Sequence, residues 1–128
     1  MMDKNKVIVG ISCGDVNGIG LEVLINSFAT EKLFDRCIPV LYVPVKTMRS
    51  YLRALKIKDF DLHVIKNTKD ALMYKINIVD FAAKDTQLSL GESTNFAAQI
   101  AVDSLNLGVS DLKKNLTDVL LTLPVNKH

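Results

Sequence analysis

The sequence predicts an α/β fold: a parallel or mixed sheet with helices on both faces. Three observations predict it. Short apolar runs recur along the chain at Val7–Ser12, Ile38–Val43 and Asp118–Leu123. They lack strict alternation, as strands buried on both faces do. Segments with apolar residues at helical spacing lie between the runs. A glycine-rich turn, Gly14-Asp15-Val16-Asn17-Gly18-Ile19-Gly20, joins the first run to the first of these segments.

Each element follows from its own pattern. Val7 to Ser12 is almost continuously apolar and reads as a central parallel strand. Leu21, Leu24, Ile25 and Phe28 recur at i, i+3, i+4 and i+7, which predicts a helix from Gly20 or Leu21 to about Phe28. A short turn at Thr30-Glu31 follows, with Leu33 and Phe34 packing inward. The second strand is Ile38 to Val43. Pro39 sits near its start, where a missing N–H is tolerated, and Pro44 ends it. Val45 to Leu55 is a second helix, with Met48, Leu52 and Leu55 on one face and Lys46, Arg49 and Arg53 on the other. Asp61 to Ile65 and Ile76 to Phe81 are further strands, and Asn67 to Tyr74 between them is ambiguous.

Ala82 to Glu92 reads as a loop anchored by Leu88 and Leu90, after which Ser93 or Thr94 caps a helix. Phe96, Ala97, Ile100, Ala101 and Leu105 form its stripe, whose small alanines suit close packing on a sheet or a partner helix. Gly108 is its expected C-terminal stop, with one more turn from Asp111 to Leu116. Strands alternating with helices argue for a parallel or mixed sheet. Right-handed crossovers place the strand ends on one edge. Ligands in such sheets bind beyond the carboxyl ends of strands. The turns after Ser12 and after Leu123 both lie at such ends.

Composition bounds the function. At 128 residues the chain is one modest domain, and 48% hydrophobic with 23% charged residues suits a soluble fold. A net charge of +2 is too small to argue for nucleic acid or an acidic membrane. Lys56, Lys58, Lys66 and Lys69 are mixed with Asp59, Asp61 and Asp70, as on a solvated face. No run approaches the ~20 apolar residues that span a bilayer. Met1 to Lys6 is polar and unlike a signal peptide, so a cytoplasmic location is expected. Cys13 and Cys37 make no disulfide framework and no C-x-x-C. Cys13 borders the glycine-rich turn, but with no histidine nearby in sequence it reads as a small half-buried side chain. His63 alternates with apolar neighbours and reads as a surface residue.

The glycine-rich turn is the candidate wall of a ligand cleft. A helix N-terminus carries free backbone N–H groups and positive partial charge, and glycines let another group approach the backbone. The motif is G-x-x-x-G-x-G, neither a Walker A loop nor G-x-G-x-x-G. Asp15 and Glu22 would oppose a bare phosphate there, so a polar or amine-bearing ligand fits better. The competing reading is structural: Asp15 or Asn17 caps the helix, and the glycines serve strand–helix packing. At the far end, Pro124-Val125-Asn126-Lys127-His128 directly follows a strand. Lysine supplies a point charge for phosphate or carboxylate, Asn hydrogen-bonds, and His binds a metal or moves a proton. The competing reading is a frayed tail.

The run Ile11-Ser12-Cys13-Gly14-Asp15-Val16-Asn17-Gly18-Ile19-Gly20-Leu21-Glu22 resembles the N-terminal signature of the 4-hydroxythreonine-4-phosphate dehydrogenase family, I-T-P-G-D-P-A-G-I-G-P-E. Val16, Asn17 and Leu21 depart from it. Thr122-Leu123-Pro124-Val125-Asn126-Lys127 is similar to the family's T-x-P-[IV]-[NH]-K. The resemblance implies an isocitrate/isopropylmalate dehydrogenase-like fold, incomplete here, with a less regular antiparallel insertion in its middle zone. It implies an NAD-dependent dehydrogenase of pyridoxal phosphate biosynthesis. Such an enzyme oxidises 4-phosphooxy-L-threonine to a keto acid that loses its carboxylate, with a divalent metal (Zn, Mg or Co), as a homodimer. Cleft-lining candidates are Gly14, Asp15, Asn17, Gly18, Gly20, Asn126 and Lys127.

No catalytic residue or metal ligand is assigned. The family's Gly-His-Thr motif, metal-binding histidines, phosphate-binding Lys and Arg and most of the dinucleotide site lie beyond the lysine motif. This sequence holds only His63 and His128. Residues 1–128 are therefore expected to be the N-terminal portion of a larger two-domain enzyme, with no internal boundary. Alone, the chain is expected to be inactive, to bind neither NAD nor metal, and to expose apolar surface where sheet neighbours are missing. The alternatives are a non-catalytic structural or dimerisation domain, a dehydrogenase for a related hydroxy acid, and a small nucleotide-binding module.

Overall fold

A computed structural model describes residues 6–30, 32–58, 60–81 and 95–125. In chain order the elements are β1 (Val7–Ser12), α1 (Gly20–Thr30), β2 (Cys37–Tyr42), α2 (Val45–Ala54), β3 (Leu62–Ile65), β4 (Ile76–Val79), α3 (Asn95–Lys113) and β5 (Val119–Thr122). Short 3-10 turns occupy Leu33–Asp35 and Thr68–Asp70. The strands form one five-stranded sheet in the order β3-β4-β2-β1-β5. Every neighbouring pair is parallel, so the sheet is parallel rather than mixed among the described residues.

The sheet is covered on both faces. Leu21, Leu24, Ile25 and Phe28 of α1 and Met48, Tyr51 and Leu52 of α2 pack with Ile11, Leu41, Ile76 and Ile78. Burying each such side chain is worth about 1.5–3 kcal/mol, which explains why the helical stripes dock there. Ile38, Val40 and Tyr42 of β2 point the other way, as strand alternation requires, and meet Leu107 of α3 and Leu120 of β5. Among the described residues, no helix is long and apolar enough to cross a membrane.

Three expectations need correction or restriction. Gly108 does not stop α3, which runs on to Lys113. A helical glycine costs about 1 kcal/mol against alanine, and here it lets the helix lie close to the sheet. A Cβ at 108 would fall 2.6 Å from Leu120 Cδ1. The true stop is Asn115, whose φ of 59° turns the chain left-handed. Asn115 N–H donates to Leu112 O and Leu116 N–H to Asp111 O, the paired bonds of a Schellman ending. In the middle zone the expected antiparallel insertion is not found among the described residues. β3 and β4 pair in parallel, and Thr68–Asp70 makes the turn between them. The loop expected at Ala82–Glu92 and its Ser93 or Thr94 cap lie outside the described residues.

Buried polar groups tie α3 to the sheet. Ser104 Oγ accepts from Cys13 N–H (2.9 Å) and donates to Tyr42 O. Tyr42 OH donates to Asp111 Oδ2 (2.8 Å), and Thr68 Oγ1 donates to the same oxygen. Burial, then the Asp111 carboxylate, holds the Tyr42 phenol well above its usual range, so it remains a donor. Ser104→Ala would leave a buried amide and a buried carbonyl without this partner. The expected loss is about 1–3 kcal/mol in urea unfolding, with an unchanged slope. A loss near zero would show that water replaces the hydroxyl.

Apolar side chains remain exposed beside β5, which pairs only with β1 among the described residues. Leu121 of β5 is 49% exposed and Val102 of α3 is 53% exposed.

Candidate functional site

The sheet order reverses at β1. The chain leaves β1 toward β2, while β5 lies on β1's other side. Such reversals form crevices beyond the strand ends. β1 and β5 run in register, Ser12 opposite Thr122, so both chains leave the sheet side by side.

The two turns then touch. Leu123 N–H donates to Ser12 O (3.0 Å), and Asp15 N–H donates to Pro124 O (2.9 Å). Gly14 has φ 61°, the left-handed conformation that favours glycine. A Cβ there would lie 2.5 Å from Leu123 O and nearer still to Pro124 O. At Gly20 a Cβ would lie 3.1 Å from Pro124 Cδ and 3.2 Å from Leu123 Cβ. The glycines at 14 and 20 thus admit the segment that follows β5.

Inside the turn, Asp15 Oδ1 accepts from Asn17 N–H (2.9 Å) and Asp15 O accepts from Gly18 N–H (3.0 Å). The carboxylate therefore shapes its own turn through a bond to a residue ahead of α1. Asn17 is buried, at 2% exposure, and Asp15 is half-buried. Gly18 O accepts from Tyr51 OH (2.8 Å), which roots the turn in α2. Ile19, at 68% exposure, faces outward. Gly14, Asp15 and Gly20 come together with Leu123 and Pro124, while Gly18 contacts Asp15 and Tyr51. Asn126 and Lys127 lie outside the described residues.

Two contributors escaped the sequence reading. Tyr51 is on α2's buried stripe, three residues after Met48, and that spacing was the available signal. Asp80 directly follows β4, and its Oδ1 accepts from Val45 N–H (2.8 Å) at the start of α2. Pro44, at that helix's N-cap, makes no side-chain cap bond. A lone aspartate after an apolar strand, together with a helix lacking its own cap, was the legible hint.

Cys13 is fully rather than half buried, and burial pushes its thiol up to about 11. It is therefore an unreactive thiol at neutral pH. Cys37 is only half-buried. A thiol reagent at pH 7 is expected to modify Cys37 first in the native chain, and Cys13 only after denaturation. Mass spectrometry of the labelled peptides checks this, and early label on Cys13 would contradict the burial. The sign in pH follows too. The folded state's hold on this proton stabilises it most below about 9, and the gain fades as pH rises through about 11.

No group of three or more His, Cys, Asp or Glu among the described residues could hold a metal ion. The space beside Gly14, where a nucleotide could approach the backbone, is filled by Leu123 and Pro124 carbonyls. Neither observation ties a described residue to a metal or a dinucleotide.

No protein-family model matches the sequence. The chain is 25% identical over 127 residues to the 4-hydroxythreonine-4-phosphate dehydrogenase of Bacteroides thetaiotaomicron, covering 99% of this chain and 35% of that protein. It is 28% identical over 130 residues to a "Putative D-threonate 4-phosphate dehydrogenase" of Oceanobacillus iheyensis, covering 98% and 38%. The crystal structure of 4-hydroxythreonine-4-phosphate dehydrogenase from Klebsiella pneumoniae matches with a TM-score of 0.83 and 25% identity, over 95% of this chain and 38% of that one. The resemblance carried by the two motifs therefore extends along the whole chain. The chain spans little more than a third of the length of the proteins it matches.

Proposed function

We propose, from this similarity to 4-hydroxythreonine-4-phosphate dehydrogenases, that the chain is the N-terminal portion of a larger two-domain dehydrogenase and lines one side of its substrate cleft. The observation that carries the proposal is the junction of Gly14 and Asp15 with Leu123 and Pro124 at the carboxyl ends of β1 and β5. Such a rim is where parallel sheets receive small molecules.

In this reading the substrate is a small phosphorylated hydroxy acid, with 4-phosphooxy-L-threonine first. The half-buried Asp15 carboxylate faces its polar end. Asn126 and Lys127 come next in the sequence after Val125, and Lys127 offers positive charge to a phosphate or carboxylate. NAD and a divalent metal (Zn, Mg or Co) belong to the same proposal, as do a homodimer and a cytoplasmic location. No described residue is assigned to either cofactor. Alone, the 128-residue chain contributes a cleft wall without turnover. A related hydroxy acid is the second reading. It is favoured by the similarity to a protein named for D-threonate 4-phosphate and by the departures at Val16, Asn17 and Leu21.

The test has two arms. The purified 128-residue chain is mixed with NAD, a divalent metal and either phosphorylated substrate, and reduced nicotinamide is followed by absorbance. No turnover is expected. A longer polypeptide containing these residues is assayed in parallel and is expected to reduce NAD with one of the two. Turnover by the short chain overturns the partial-enzyme reading. An inactive longer polypeptide, folded and metal-loaded, overturns the dehydrogenase reading.

A further inference from the structure

We draw no further inference here: the strongest candidate, the exposed apolar stripe of Val102, Leu105, Val109 and Leu112 on α3 beside the open edge of β5, carries nothing because nothing in the structure shows what covers it.

Discussion

Gly14→Ala is expected to lower the unfolding free energy by about 3 kcal/mol or more. Two costs add. An L-residue held in the left-handed region loses about 1–2 kcal/mol. The new Cβ also meets backbone oxygens of Leu123 and Pro124, which cannot rotate away as a side chain can. Relief requires lifting the segment after β5, which breaks the bond from Asp15 N–H to Pro124 O. That bond is worth about 1 kcal/mol, and more if its groups remain buried and unpaired. Gly108→Ala is the internal comparison. Its Cβ meets the tip of Leu120, a flexible side chain, and φ is not left-handed there. Helix propensity returns about 1 kcal/mol, so the net change should be small. Urea unfolding of both variants beside the parent decides the matter. Similar losses at both positions would mean that the contact with Leu123 and Pro124 is not what demands glycine at 14.

Asn77→Leu is expected to cost about 3 kcal/mol, because a buried carbonyl and two part-buried backbone groups lose their partner at once. Asn77 is fully buried in β4. Its Nδ2 donates to Pro39 O (2.9 Å) and Leu72 O (3.0 Å), while Oδ1 accepts from Leu72 N–H (2.9 Å). One amide thus closes the connection entering β4 and serves the carbonyl of the proline in β2. Leucine keeps the branched outline, is somewhat larger, and removes the whole set. Asn77→Asp separates charge from shape. Its carboxylate would face carbonyls where donors stood, so folding would favour the protonated acid. A group whose folded pKa is raised stabilises most at low pH and loses that contribution as pH rises. The aspartate variant should therefore be closest to the parent under acidic conditions and fall behind toward neutrality. Equal deficits at both extremes would show that packing, not hydrogen bonding, sets the cost.

Much of the fold is legible in the residues, and the exceptions have physical causes. β1 and β2 are apolar runs that need burial on both faces, and they match their expected spans within a residue at either end. α1 and α2 follow from their stripes in the same way. Gly108 misled because one interior glycine costs a helix only about 1 kcal/mol, less than α3 gains by docking on the sheet through Ala97, Ile100 and Ser104. Residues 67–74 were ambiguous because a non-local bond, Thr68 to Asp111 on α3, helps set them. At the candidate site, the meeting of the two motifs follows from parallel strands whose ends share an edge. The supports do not follow. Tyr51 reaches Gly18 from another helix, and Asp80 reaches Val45 from another strand. Such pairs are set by topology, which local patterns do not encode.

The packing at Gly14 bears on how signatures of this type are interpreted. Their glycines are usually credited to the ligand. Here the chain's own carbonyls occupy the room that glycine leaves at 14. A descendant that had shed every reacting group would still be bound to glycine at that position for as long as β5 stayed beside β1. Retention of such a letter in a degenerate copy is thus a record of architecture. Only positions free of that obligation can testify to surviving chemistry.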